Sequence, residues 1–143
     1  MKPVTLHVIG ASATDDIYED EFLPGKPIWN ITRLIVAARS GAFGPAKRFL
    51  MSVLPPMTPE AIANIDWQKV DAMIASHTAH PGTSPLNIPA IMIEVKTGRQ
   101  LYRLFADGNH RTSARRKLGM GHFGSFVVPA DMEHVYRVRF VES

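Results

Sequence analysis

The order of apolar and polar residues predicts short strands and helices along the first half of the chain. A β-branched run over 4–9 predicts a strand, and the acidic residues of 15–21 predict a loop. Apolar residues at helical spacing predict a helix over 31–38, and a shorter helix is expected over 46–53. The triplet at 58–60, Thr-Pro-Glu, is typical of a helix start, because it joins an N-cap, a proline and an acid near the positive end of the helix dipole.

The second half of the chain continues the alternation. Asp66 predicts the start of a helix whose apolar face carries Val70, Met73 and Ile74, and the prolines and glycine of 77–89 predict a loop. The remaining elements are an expected hairpin of strands 91–95 and 100–105, a helix over 109–118, and closing strands over 126–128 and 135–141. The pattern predicts an α+β fold, a small mixed β-sheet with packed helices, in a single domain over 1–143.

Composition favours a soluble globular protein. The 143 residues, of which 45% are hydrophobic, suit one domain with a closed core. No apolar run reaches the roughly 18 residues that a membrane-spanning helix needs, and no secretory signal is recognisable. We therefore expect a cytoplasmic protein with no membrane partner. The absence of cysteine excludes disulfides, thiolate-bound metals and a cysteine nucleophile.

Charge is distributed unevenly along the chain. Sixteen basic and 13 acidic residues give a net charge of +3, but residues 1–25 hold one base and five acids. The rest of the chain is therefore distinctly basic, which favours partners that carry phosphate, such as a nucleotide or a nucleic acid. A surface charge that only keeps a small protein soluble explains the excess equally well.

The segment 101–119 carries the most chemical information, because a predicted strand leads there through a glycine turn into a helix. A helix start gathers free backbone N–H groups at the positive end of the dipole, and Gly108 lets an anion approach without a Cβ in the way. His110 and Arg111 add donors at the same end, and Thr112 adds a hydroxyl. Cationic side chains oppose the dipole at this end of a helix, so their presence suggests a bound phosphate.

A second interpretation of the same turn needs no ligand. Asp107 or Asn109 would cap the helix, and an acid there would pair with Arg111.

Asp107 could also hold a metal ion such as Mg²⁺, because carboxylates beside phosphates are its usual protein ligands.

The sequence of 107–119, Asp-Gly-Asn-His-Arg-Thr-Ser-Ala-Arg-Arg-Lys-Leu-Gly, resembles the central motif of the ParB/sulfiredoxin superfamily. Members typically show a strand, then Gly-x-[His/Arg]-Arg, then a helix with small residues and a closing Leu-Gly. The matching residues are Gly108, His110 and Arg111, with Asn109 at the variable position. The resemblance spans 91–128 and implies that the motif loop and helix start hold nucleotide phosphates. The superfamily's upstream helical motif is replaced here by the prolines and glycine of 77–89.

Branches of the superfamily can be separated by their chemistry. Sulfiredoxins carry a cysteine within Gly-Cys-His-Arg, and Asn109 stands at that position here, which excludes sulfinic acid reduction. Partition proteins append a helix-turn-helix domain, which we do not expect in the 24 residues after Gly119. The remaining standalone members include a free-serine kinase and plasmid proteins described as ATPases or DNases.

The resemblance implies a nucleotide-binding domain, of ATPase or small-molecule kinase type, that uses ATP or another nucleoside triphosphate with Mg²⁺. Phosphates would be held by Gly108, Asn109, His110, Arg111 and Thr112. His110 and Arg111 would neutralise charge developing on the phosphates, and Asp107 would hold the metal or activate the acceptor.

Alternative functions remain open. A DNA-binding or DNA-cleaving protein of the ParB-like nuclease type would need its scattered basic residues on one surface; these are Arg33, Arg39, Lys47, Arg48, Arg137 and Arg139. A third possibility is an interaction module without catalysis. The segment 105–112 also matches part of the Fic motif, but Arg103 stands where that motif has its histidine, and a hairpin precedes it instead of a helix.

The other polar groups favour structural interpretations. The acids of 15–21 could hold Mg²⁺ or act as a base, but a solvated loop is the favoured interpretation. His77 and His80 lack a third metal ligand nearby. The basic run at 115–117 suits the last turn of its helix, where the dipole favours positive charge. Trp29 and Trp67 are expected in the core.

Overall fold

The computed structural model describes residues 5–20, 23–54 and 59–142, which form an α+β fold around a mixed sheet. The strands are β1 (Leu6–Ile9), β2 (Ile17–Glu19), β3 (Ile28–Asn30), β4 (Lys47–Leu50), β5 (Ala90–Thr97), β6 (Gln100–Asp107), β7 (His122–Val128) and β8 (Arg139–Glu142). The helices are α1 (Ile31–Arg39), α2 (Pro59–Ala63), α3 (Trp67–Ala79) and α4 (Asn109–Lys117). Short 3₁₀ turns lie at Met51–Val53, Pro81–Thr83, Pro85–Asn87 and Glu133–Tyr136. The predicted α+β class is confirmed.

The main sheet has four strands in the order β4-β7-β5-β6. β5 and β6 form the predicted hairpin, β5 runs parallel to β7, and β4 runs antiparallel to β7. Two antiparallel ribbons, β1 with β8 and β2 with β3, lie outside the main sheet. The hairpin carries an irregularity between Ile91 and Met92, opposite the last residues of β6. β6 therefore delivers the segment that begins α4 to one end of the sheet.

The larger core packs α1 and the β2–β3 ribbon against the sheet. Trp29, Leu34, Ile93 and Val128 are fully buried in or against it. The Trp29 indole N–H donates to Glu133 Oε2 over 2.8 Å, so its one polar atom is satisfied inside the core. This core fixes β5, the strand against which the β6–α4 turn lies.

A smaller core joins α3 to α4. Val70, Leu86 and Ala114 are buried together there. As predicted, Asp66 caps α3, since its Oδ1 accepts from the Lys69 N–H over 3.2 Å. The contact places the N-terminal turns of α3 and α4 side by side.

The predicted helix over 46–53 is wrong. Residues Lys47–Leu50 form strand β4, followed by a single 3₁₀ turn. The Phe49 ring stacks on Phe123 of β7 with centroids 5.5 Å apart, so a partner distant in sequence decides the conformation. The loop predicted over 77–89 is partly wrong, because α3 continues to Ala79 and two 3₁₀ turns follow.

The acidic segment is also more ordered than predicted. Ile17–Glu19 pairs with β3, and Asp20 is buried with its Oδ1 accepting from the Leu23 N–H over 2.9 Å. The prediction of a solvated loop is therefore wrong for these residues, because breaker residues 24–27 turn the chain back into a ribbon. Glu21 lies outside the described residues.

One further boundary and one burial assignment differ from prediction. Of the strand predicted over 135–141, only the end belongs to a strand, since β8 spans Arg139–Glu142 and a 3₁₀ turn precedes it. Trp67 is 41% exposed at the start of α3, so its predicted place in the core is wrong, whereas Trp29 is confirmed there. Thr58 and Val4, predicted as a helix cap and a strand residue, lie outside the described residues.

Tyr18 gives the ribbon a measurable signature. Its ring stacks on Trp29, its hydroxyl donates to Asp20 Oδ2 over 3.3 Å, and burial together with the Asp20 charge raises its pKa from 10.0 to about 12. Because the folded pKa is raised, this group's contribution to stability is complete below pH 10 and is lost as the pH rises through about 12. The difference in tyrosinate absorbance between wild type and Tyr18→Phe should have its midpoint near pH 12; a midpoint near 10 would contradict the packing.

Candidate functional site

The turn between β6 and α4 depends on Gly108. Its φ is +102°, in the left-handed region that favours glycine, and it occupies the N-cap position of α4. A Cβ at this position would lie 2.9 Å from Ala90 Cβ and 3.2 Å from Ala90 Cα. The glycine is thus required by its backbone conformation and by the close approach of the turn to β5.

The N-terminus of α4 is free of a side-chain cap. Within the described residues no side chain accepts a hydrogen bond at the cap, and the first turn contains no acid. The alternative interpretation, a cap supplied by Asp107 or Asn109, is therefore wrong. The same interpretation also expected an acid to pair with Arg111, and this is confirmed, because Asp107 Oδ2 accepts from Arg111 Nη2 over 2.9 Å. The backbone N–H groups at this end remain available to an anion.

A small pocket opens at this N-terminus. Its volume is about 90 Å³, and it is lined by Lys69, Met73, Asp107, Gly108, Asn109, His110 and Arg111. Sites that enclose drug-sized ligands hold roughly 300 Å³ or more, whereas this volume equals about three water molecules. The pocket therefore fits one compact group, such as a phosphate, and five of the six predicted site residues line it.

Thr112 is the predicted site residue that does not line the pocket. Its side chain is buried at 5% exposure, and its Oγ1 has no hydrogen-bond partner among the described residues. Each residue turns about 100° around a helix axis, so a position next to Arg111 lies on a different side of α4. Thr112 therefore lies outside this pocket, and its predicted contact with a phosphate stays a prediction.

Two lining residues were not assigned to the site from the sequence, Lys69 and Met73, and Lys69 is the charged one. It lies in the first turn of α3 with an exposed side chain. A sequence signal could have identified Lys69, because a cation near the N-terminus of a helix is opposed by the helix dipole. The same signal identified Arg111. The proximity of Lys69 to α4 depends on the packing of the two helices.

His110 links the two helices through its ring. Nε2 accepts a hydrogen bond from the backbone N–H of Asp66 over 3.2 Å. An imidazole nitrogen that accepts carries no proton, so this hydrogen bond forms only while Nε2 is unprotonated. While the hydrogen bond is formed, Arg111 and Lys69 supply the positive charge of the pocket.

Arg111 is anchored by the turn that it follows. Besides Asp107, its Nη2 contacts the Pro89 carbonyl at 3.4 Å, and its side chain is 14% exposed. Nε is buried and has no partner among the described residues. Part of the guanidinium charge is therefore balanced inside the protein, and the rest faces the pocket.

Asp107 is the one acid among the residues that line the pocket. Over the described residues no three histidine, aspartate or glutamate side chains gather as a metal site. A Mg²⁺ ion at Asp107 would have to share a carboxylate that Arg111 already binds, so the donor set fits the ion poorly. The acids of the N-terminal segment serve elsewhere: Asp15 Oδ2 accepts from the Ser12 N–H and from Asn30 Nδ2, and these hydrogen bonds hold the pKa of Asp15 below its usual range.

The basic run at 115–117 has a structural role, as the sequence analysis favoured. Burial and an ion pair account for this role, whereas the sequence analysis had named the helix dipole. Arg115 is 2% exposed, and its Nη2 donates to the carbonyls of Leu86 and Ile88 over 2.7 and 3.0 Å. Burial, and then the nearby Arg111 charge, lower the pKa of Arg115. Lys117 pairs with Asp71 of α3 over 2.7 Å. These contacts fix α4 against its neighbours.

The other candidate residues are engaged in the fold. His77 Nδ1 lies 2.7 Å from the Ser84 hydroxyl, and His80 ends α3. Of the basic residues considered for DNA binding, Arg137 binds both carboxylate oxygens of Glu133, and the Arg33 guanidinium lies 5.8 Å from the centre of the Tyr136 ring. The remaining ones are exposed on α1, β4 and β8.

No protein-family model matches the chain, and a search of curated proteins found no match either. The resemblance to the ParB/sulfiredoxin motif therefore stays a prediction. No helix within the described ranges is long and apolar enough to cross a membrane.

Proposed function

We propose that the protein binds a nucleotide through one phosphate group, in the pocket between the first turns of α3 and α4. The observation that carries the proposal is the uncapped N-terminus of α4 facing a phosphate-sized pocket that Lys69 and Arg111 also line. Backbone N–H groups and a positive dipole at a helix start favour phosphate.

The charge balance of the pocket supports an anionic ligand. Of the residues that line it, two are cations, Lys69 and Arg111, and one is an acid, Asp107, while the Asp66 carboxylate beside them caps α3. The dipoles of α3 and α4 both place their positive ends here, and each opposes a nearby cation by about 0.3–1 kcal/mol. A bound phosphate removes this repulsion, and its charge-assisted hydrogen bonds are stronger than those of a neutral ligand.

The size of the pocket determines which part of a nucleotide it holds. About 90 Å³ suits a single phosphate and leaves sugar and base outside. We therefore expect ATP, CTP and GTP to bind with similar affinity, because base recognition needs polar groups around an enclosed base.

Mg²⁺ would arrive with the nucleotide, held by the nucleotide's own phosphates, since Asp107 is engaged by Arg111. Hydrolysis or transfer of the phosphoryl group stays a prediction, as does the DNA-directed alternative. A DNA phosphodiester offers the same phosphate oxygens to the pocket, so the test includes DNA as a competing ligand.

The test is a titration of the wild type and Lys69→Met with ATP, CTP and GTP, with and without Mg²⁺, by calorimetry. Lys69→Met should weaken binding about tenfold, because a hydrogen bond to a charged group contributes about 1.5 kcal/mol or more. Lys69 is preferable to Arg111 as the target, because Arg111 also holds Asp107 and the Pro89 carbonyl.

Lys96→Met is the matched control, since it removes one exposed lysine from β5 outside the pocket. It should leave affinity unchanged. The proposal is refuted if the wild type binds none of the three nucleotides. An equal loss of affinity in Lys69→Met and Lys96→Met would indicate non-specific charge attraction and would also contradict it. Tighter binding of short duplex DNA, steeply weakened by salt and lost in Lys69→Met, would favour the DNA alternative.

A further inference from the structure

The first turns of α3 and α4 are joined by a hydrogen bond that depends on a titratable ring. The backbone N–H of Asp66 donates to His110 Nε2 over 3.2 Å, in an exposed position that protons and water can reach. Asp66 is also the N-cap of α3, so the bond holds the very start of that helix. Lys69 follows within the same turn.

We infer that His110 is a proton-sensitive latch between α3 and α4, which holds Lys69 at the pocket while the ring is neutral and releases it when Nε2 is protonated. The latch itself follows from the hydrogen bond alone. Its effect on ligand affinity rests on the proposed function.

The direction of the switch follows from the donor and acceptor inventory. A protonated imidazole has an N–H on both nitrogens and accepts at neither. Protonation would place two N–H donors against each other at 3.2 Å, so the hydrogen bond is lost and the contact opens. Histidine is suited to such a role, because it is the side chain that ordinarily changes charge near neutral pH.

Among the described residues, four charged ones share the pocket or a hydrogen bond with the ring. Lys69 on α3 and Arg111 on α4 oppose a charged His110, as do the two helix dipoles. Asp66 on α3 and Asp107 at the end of β6 favour it, but Asp66 Oδ1 already accepts from the Lys69 N–H and Asp107 already binds Arg111. Each carboxylate therefore offers a protonated ring only the oxygen that these hydrogen bonds do not use.

Opening is confined to one end of the helix pair. The Lys117–Asp71 ion pair and the buried contact of Val70 with Ala114 hold the two helices together beyond their first turns. Loss of the latch thus widens the pocket at the Lys69 side without separating the helices.

The test is nuclear magnetic resonance of the wild type over a range of pH. The amide shift of Asp66 should follow the titration curve of the His110 ring, read from the ring's own signals. Protection of the Asp66 amide from hydrogen exchange, corrected for the intrinsic pH dependence of exchange, should fall about fivefold on protonation of the ring.

Two variants make the result specific. His110→Gln keeps a neutral acceptor at the end of the side chain, so Asp66 should lose its pH response. His134→Gln removes an exposed histidine from another element and should leave that response intact.

The inference is overturned if the Asp66 amide does not follow the ring, or if its protection rises on protonation, which would mean that the charged ring closes onto a carboxylate. The proposed function fails separately. An Asp66 amide that follows the ring in a protein that binds no nucleotide refutes the function alone. Nucleotide binding beside an unresponsive Asp66 refutes the latch alone.

Discussion

Gly108→Ala is expected to destabilise the protein by about 3 kcal/mol and to weaken nucleotide binding more than tenfold. The backbone at φ +102° costs a non-glycine residue about 1–2 kcal/mol, and a Cβ 2.9 Å from Ala90 forces β5 or the turn to move. Movement of the turn shifts the N–H groups that begin α4, so stability and binding should fall together. Urea unfolding and calorimetric titration with ATP measure the two effects.

Gly119→Ala is the matched control for Gly108→Ala. Gly119 follows α4 at φ +70°, but a Cβ there would meet nothing within 4 Å. The control carries the backbone cost without the steric clash, so it should cost about 1 kcal/mol and leave nucleotide affinity unchanged. Equal losses of stability and affinity in the two variants would show that the approach to Ala90 is irrelevant.

Trp29→Ala is expected to lower the free energy of unfolding by about 4 kcal/mol. Trp29 is fully buried, stacks on Tyr18 and donates to Glu133, so its removal leaves a large cavity in the main core. Trp29→Phe should cost about half as much, because it keeps an aromatic ring and loses the indole N–H that satisfies Glu133. Urea unfolding of the three proteins provides the comparison.

Trp67→Ala is the control for Trp29→Ala, because it also removes a tryptophan but from a partly exposed position. Trp67 is 41% exposed, so its loss should cost about 1 kcal/mol or less. A larger cost for Trp67 than for Trp29 would contradict the assignment of the core.

The parts of the fold that could be predicted are those decided by local sequence. Asp66 signals the start of α3 because a capping side chain and the apolar spacing behind it lie within one stretch. β4 could not be predicted, because the residues that make Phe49 a strand residue belong to β7, more than 70 positions further along the chain. Trp67 was misplaced for a related reason, since apolar neighbours in sequence do not reveal which side of a helix meets a core.

The candidate site divides in the same way. Residues 107–111 could be found together because they are contiguous and carry the signals of a glycine turn and of opposing charge at a helix start. Lys69 could not be assigned to them, because the contact between α3 and α4 is tertiary. Gly108 was identified, but the structure adds a reason that no local pattern contains, its approach to Ala90.

The two carbonyls that hold Arg115 have a consequence for how this protein can vary. Every amino acid presents the same backbone carbonyl, so substitutions at Leu86 and Ile88 leave both acceptors in place. Among descendants of this chain, position 115 should stay arginine while positions 86 and 88 drift independently of it. Covariation between columns of an alignment would then miss a contact that ties α4 to the segment before β5.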